Sequence, residues 1–213
     1  MNFFTRISGK ILDLIKLNLL FIVSCIPIIT IGASTTALYY NLLKMVRDEE
    51  SYLFRDYKKS FKENFLQATT VWMVLLLALI IIYNNLGFVG KITGYGSIIG
   101  YMLLALLAGV AVVILYVFPL IARYQNTSRQ MIRNAFVLAF TNLKTTVLIV
   151  LSCVMAPLLV IADYKLFPYY ILYMILIGVS GPAYLSSILF RKMFDRLEGE
   201  DGIPHERKSK EPV

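Results

Sequence analysis

The sequence predicts an all-α fold, a polytopic transmembrane bundle of about five membrane segments, and three observations predict it. Apolar residues make up 58% of the 213 and charged ones only 16%, above and below the shares usual in soluble domains. The charges collect in a few segments. They leave five stretches without Asp, Glu, Lys, Arg or His: Leu17 to Leu43, Phe65 to Tyr83, Ile98 to Ile121, Thr145 to Ala162 and Phe167 to Phe190. These lengths match the roughly 20 helical residues that cross a hydrocarbon core about 30 Å thick while keeping every backbone group bonded. A soluble fold would have to bury five uncharged helices on all sides, with too little polar surface left to cover them.

The first stretch is the least regular. A continuous helix from Ile11 to Val46 would measure about 54 Å, and Pro27 and Gly32 interrupt its middle. It is either a broken crossing or a re-entrant hairpin. Although Arg6, Lys10 and Lys16 precede it, the stretch is too long for a secretory signal core and runs on without an Ala-x-Ala site into Tyr39 and Tyr40, so it is read as retained. Its run of small residues, Gly32-Ala33-Ser34-Thr35-Thr36-Ala37, lets another helix approach closely and offers hydroxyls. Gly178, Ser180, Gly181 and Ala183 give the fifth stretch a matching surface, so the first and fifth are the expected contact pair. Pro27, Pro119, Pro157 and Pro182 each free a carbonyl inside a span. Such breaks line sites in transporters but are also ordinary in membrane helices, and packing is the weightier reading.

Between the first two spans, Leu53, Tyr57, Phe61 and Phe65 recur every four residues beside Arg55, Lys58, Lys59 and Lys62. That pattern predicts an amphipathic helix that lies among headgroups or docks on the protein's own helices. Ser128 is the expected cap of a second such helix, with Ile132, Phe136, Phe140 and Leu143 as its stripe and Arg129 and Arg133 near its start. Residues 1–199 form one transmembrane domain, and 200–213, rich in mixed charge, form a disordered cytoplasmic tail.

Lys and Arg number three before the first stretch, then six, one, four and one between stretches, and six in the tail. Five straight crossings with a cytoplasmic C-terminus put 16 inside and 5 outside, as the positive-inside rule prefers. That arrangement leaves Arg6, Lys10 and Lys16 on the outer side, whereas a hairpin returns both of its ends to the cytoplasm. The net charge of +8 flanks apolar spans and does not gather on one basic module, so no nucleic acid is expected. Cys25 and Cys153 fall inside spans and read as small buried residues. Asn126-Thr127-Ser128 fits a glycosylation sequon by chance, on a cytoplasmic loop. Phosphate-loop, zinc-helix and nucleophile-elbow motifs are missing, and His205 is the single histidine. No catalytic, metal or cofactor-binding residue is expected.

Asn18-Leu19-Leu20-Phe21, Ile26-Pro27-Ile28-Ile29-Thr30-Ile31-Gly32-Ala33 and Ala37-Leu38-Tyr39-Tyr40 resemble the N-terminal signature of the YesL-like family of bacterial membrane proteins. Phe118-Pro119-Leu120, Arg123-Tyr124, Asn134-Ala135-Phe136 and Pro182-Ala183-Tyr184 are similar too. Members of that family often occur beside components of sugar-uptake ABC transporters and polysaccharide-degrading enzymes. The resemblance therefore implies a cell-membrane accessory protein associated with a carbohydrate ABC import system, its partners the lipid bilayer and ABC transporter subunits. No Glu-Ala-Ala coupling loop of a permease is present. The alternative is a stand-alone small-solute transporter or channel using the broken spans and their hydroxyls. Charge-free spans weigh against ion coupling, and the tail is too short for the enzyme domain of a sensor. The candidate break and packing residues are Asn18, Pro27, Thr30, Gly32, Ala33, Ser34, Thr35, Tyr39, Gly181, Pro182 and Tyr184. Arg129, Arg133 and Phe136 are candidates for cytoplasmic docking.

Overall fold

Helix α1 (Phe3–Ser24) stops just ahead of Pro27, whose ring disfavours helical geometry in the residue before it. Pro27 is extended, with φ −77° and ψ 120°, and leads into a 3-10 turn at Ile28–Thr30 and then α2 (Ile31–Val46). The computed structural model describes residues 3–50, 52–89, 96–162 and 164–200, and every regular element among these is helical. Thr30 closes the turn, its hydroxyl lying 2.6 Å from the carbonyls of both Ser24 and Pro27.

The chain then reverses. Asp48, in the left-handed region at φ 53°, follows α2 and accepts a 3.0 Å hydrogen bond from Lys10 near the start of α1. The first segment is thus a hairpin whose two ends share one side. Its depth is set by α3 (Leu53–Val89), because the Trp72 indole donates to the Ile28 carbonyl at 2.8 Å. Past Trp72, α3 continues for 17 residues, about 26 Å at 1.5 Å per residue. The hairpin turns back well before the far end, with Ile26, Ile28 and Ile29 exposed at its tip. Of the two expectations for this segment, the hairpin is the one this geometry fits, since its two arms begin and end at the same end of the bundle.

With 37 residues, α3 is about 55 Å long and overshoots an apolar core of about 30 Å. The amphipathic stretch from Leu53 to Phe65 is therefore no separate surface helix but the first turns of α3. Its stripe packs on the protein itself. Tyr57 is buried, its ring stacks on Phe61 at 6.4 Å, and its hydroxyl donates to the Ser34 carbonyl at 3.4 Å.

α4 (Gly96–Arg123) returns alongside α3 and contains Pro119. A non-helical link at 124–127 leads to α5 (Ser128–Thr141), capped by Thr127 and not by Ser128 as expected. The Thr127 N–H and hydroxyl lie 3.2 and 2.9 Å from Oε1 of Gln130. α5 meets α6 (Leu143–Ala162) at 100°, so it lies across the end of the bundle. Thr146 holds this corner, donating to the Ala139 carbonyl and sharing a 2.8 Å hydrogen bond with the buried Tyr116 hydroxyl. A second 3-10 turn, Tyr164–Leu166, precedes α7 (Phe167–Leu176), and α7 meets α8 (Ser180–Glu200) at a bend of 58°.

Among the described residues two helices, α3 and α4, are each long and apolar enough to cross a membrane, and the number rises to at most four where each bent pair, α5 with α6 and α7 with α8, counts as one span. The chain is a multi-pass membrane protein whose first two helices form a hairpin. Its core is a column of aromatic rings. Phe190 lies edge-on to Tyr39 at 6.0 Å and to Tyr116 at 5.1 Å, stacks on Phe194 at 5.7 Å, and Phe194 meets Tyr124 edge-on at 5.4 Å. Charged contacts bind the same end of the bundle: Lys44 to Asp56 at 2.7 Å, Arg47 to Asp195 at 2.9 Å, and Arg191 to the Val46 carbonyl at 2.7 Å. The last of these satisfies an orphan carbonyl at the end of α2.

Because α1 begins and α8 ends at this same end, reporters fused at Asn2 and at Val213 are expected to report the same side of the membrane. Opposite sides would restore an odd number of crossings.

Candidate functional site

Two places concentrate polar groups: a clamp inside the apolar bundle and an open cleft at its charged end. The clamp arises from the break between α7 and α8, which falls near the middle of the uncharged stretch from Phe167 to Phe190. A helix broken there strands carbonyls on one side and N–H groups on the other. Asn18 of α1, fully buried, meets both sets. Its Nδ2 donates to the carbonyls of Met174 at 2.9 Å and Ile175 at 2.8 Å. Its Oδ1 accepts from the N–H groups of Val179 and Ser180, each at 3.0 Å. A carboxamide suits this place because it carries two donors and an acceptor on one planar group. Gly178 keeps the break tight, since a Cβ there would lie 2.7 Å from Sδ of Met174.

The other residues expected at helix breaks and packing faces divide among several contacts. Pro27 and Thr30 form the hairpin tip. Gly32 lets α2 approach α3 and α4, where an added Cβ would collide with the Ala68 carbonyl and lie 2.7 Å from Cβ of Trp72 and 3.0 Å from Phe118. The close approach therefore goes to α3 and α4, while the expected pairing with the last span runs through Tyr39 on Phe190 and through Asn18. Ala33 and Ser34 are buried. The Thr35 hydroxyl is spent on the Ile31 carbonyl at 2.7 Å. Gly181 and Pro182 open α8, the Pro182 carbonyl accepting from Ser186 at 2.8 Å, and Tyr184 is half-buried. Cys25 is half-buried and Cys153 exposed, so neither is the fully buried residue expected, and both are free thiols.

The cleft was not foreseen. Arg55, Lys59, Glu63 and Gln67 follow one another every four residues along one ridge of α3 and form a wall. Residues Tyr124 to Thr127 and Gln130 form the facing wall, and the buried Asp56 and Asn64 form the floor. The space measures roughly 1270 Å³. Gln67 ties the walls together by donating to the Asn126 carbonyl at 2.6 Å, and Lys44 neutralises Asp56 from beneath. Its walls offer donors and acceptors of both signs in an open setting, where charge pairs set register and specificity more than raw affinity. The four-residue spacing of Arg55, Lys59 and Glu63 was visible in the sequence; the opposing wall was not, because it comes from a link some 60 residues on.

Arg129, Arg133 and Phe136 do not line this cleft. α5 buries Met131, Ala135, Leu138 and Ala139 and exposes Arg129, Arg133, Phe136 and Phe140, the two rings 4.5 Å apart. Among the described residues no three His, Cys, Asp or Glu gather as a metal-ligand set. His205 and the segment 201–213 lie outside the described residues.

Replacing Asn18 by Leu strands four backbone groups and is expected to cost roughly 2–4 kcal/mol of stability. Amide exchange should quicken at 174–180, and unchanged protection there would dismiss the clamp. Gly32→Ala is expected to lower stability by about 1–3 kcal/mol through overpacking. Gly109→Ala, at a position with open space around it, should leave thermal unfolding in detergent unchanged, and equal midpoints for the two variants would contradict the close approach.

Residues 14–86 match the model of a family described as "Protein of unknown function, DUF624". This is the YesL-like family that the N-terminal motifs resemble. The matched region holds most of the hairpin, with Asn18 and Gly32, and the α3 wall of the cleft. No curated protein and no solved structure matches the chain significantly.

Proposed function

We propose that this protein is a non-catalytic accessory component of a carbohydrate ABC import system, held in the cell membrane with both ends of its helical domain facing the cytoplasm. The orientation rests on charge. Among the described residues every Lys and Arg except Lys165 belongs to a segment at the end where α1 begins and α8 ends. The positive-inside rule assigns that side to the cytoplasm. The cleft between α3 and the link at 124–127 is the observation that carries the reading. It is large, polar and open, and it stands on the side where a transporter's ATPase subunits work. The carbohydrate assignment comes from the family resemblance.

Autonomous transport draws no support from the broken span. All four backbone groups that Asn18 meets are already bonded, so those groups are not free to hold a solute.

Purification of the tagged chain in mild detergent is expected to recover a permease or ATPase subunit above the level of a control membrane protein. Exchanging the cleft charges by Lys59→Glu with Glu63→Lys should reduce that recovery severalfold while leaving the protein folded. Recovery at the control level would end the proposal.

A further inference from the structure

We infer that α5 is a membrane anchor: its exposed stripe enters the leaflet at the charged end of the bundle, with Phe136 and Phe140 among acyl chains and Arg129 and Arg133 on the phosphates of anionic lipids. The inference does not rest on the proposed partner. Arg129, Arg133, Phe136 and Phe140 follow at spacings of four, three and four, so they share one face of α5. All four are exposed, Phe136 by 50% and Phe140 by 53%. Among the described residues neither arginine has an acidic partner.

The depth of α5 sorts this stripe into two levels. Arg123 ends α4, and the link at 124–127 carries the chain to the start of α5. The far end of α5 lies deeper, because the Thr146 hydroxyl joins the Ala139 carbonyl to the Tyr116 hydroxyl. Tyr116 is five residues inside the uncharged stretch that ends at Ile121, about 8 Å along α4. α5 therefore slopes from the charged end into the hydrocarbon, with its arginines ahead of its phenylalanines. Beyond the corner the apolar surface continues, since Leu143, Val147, Leu148 and Leu151 of α6 are exposed. Lys144, exposed at the corner itself, is long enough to return its ammonium to the headgroups.

A lipid suits this order and a soluble anion does not. Two guanidinium groups one helical turn apart match phosphate oxygens, and the rings below them gain from acyl chains that a free anion lacks. Continuity with the exposed apolar side of α6 favours lipid over a protein partner as the occupant.

Trp72 is the single tryptophan, so Trp72→Phe with Phe136→Trp makes α5 the fluorescent reporter in the full chain. The parent carrying these two changes is reconstituted in vesicles of equal phosphatidylglycerol and phosphatidylcholine, with one lipid or the other brominated on its acyl chains. The reporter is expected to be quenched by brominated lipid and not by aqueous iodide, and severalfold more strongly when phosphatidylglycerol carries the bromine. Adding Arg129→Gln with Arg133→Gln should make the two lipids quench equally while the reporter stays in the membrane. With Leu104→Trp in place of Phe136→Trp, at an exposed position nearer the other end of α4, no preference is expected. Quenching of the parent by iodide, shielding from both quenchers, or equal quenching by the two lipids would each overturn the inference. So would an undiminished preference in the double arginine variant, or the same preference with Leu104→Trp. Circular dichroism of each variant separates loss of the site from loss of the fold.

Discussion

Hydrocarbon supplies no water to replace a broken backbone hydrogen bond, and the rest of this structure depends on how that shortage is met at the bend between α7 and α8. A span interrupted at its centre is tolerable only where protein groups take over the stranded bonds. Asn18 does this from another helix, with four contacts between 2.8 and 3.0 Å. The clamp therefore does more than satisfy polar atoms. It fixes α1 against the last span and holds the hairpin in place, while the bend lets α8 reach the aromatic column at Tyr39 and Tyr116.

The same economy of polar groups recurs through the fold. Thr30 covers the carbonyls released at the hairpin tip, Trp72 takes up the carbonyl of Ile28, and Thr146 serves the corner between α5 and α6. Each is a side chain from a neighbouring turn or helix that closes a gap in a backbone ladder. Close packing completes the arrangement where Gly32 lets α2 settle against α3 and α4, so that dispersion contacts hold helices that the hydrophobic effect cannot drive together within lipid.

At the charged end, α3 presents two adjacent ridges of different character. One, from Arg55 to Gln67, faces the link at 124–127 across a polar cleft; the other, from Phe54 to Leu66, faces outward beside α1. A helix that overshoots the bilayer by several turns can serve both water and lipid at once, because residues one position apart point about 100° apart. α5, lying across the bundle with Phe136 and Phe140 outward and Arg129 and Arg133 near its start, adds a third amphipathic surface at this end.

The sequence by itself determined that the chain is helical and embedded in a membrane, because uncharged stretches of about 20 residues have one low-energy solution in hydrocarbon. It also marked Pro27 and Gly32 as the place where the first segment breaks, since proline and glycine act locally. Only the tertiary structure decided that this segment folds into a hairpin, that Asn18 clamps a bend about 160 residues away, and that the stripe from Leu53 to Phe65 packs inward as part of α3. It also placed Gly32 against α3 and α4, when its small surface could equally have met the last span. In lipid every apolar face is acceptable to its surroundings, so periodicity no longer tells which face is buried. That choice falls to shape and to a few polar side chains, whose partners lie far along the chain and leave no local trace.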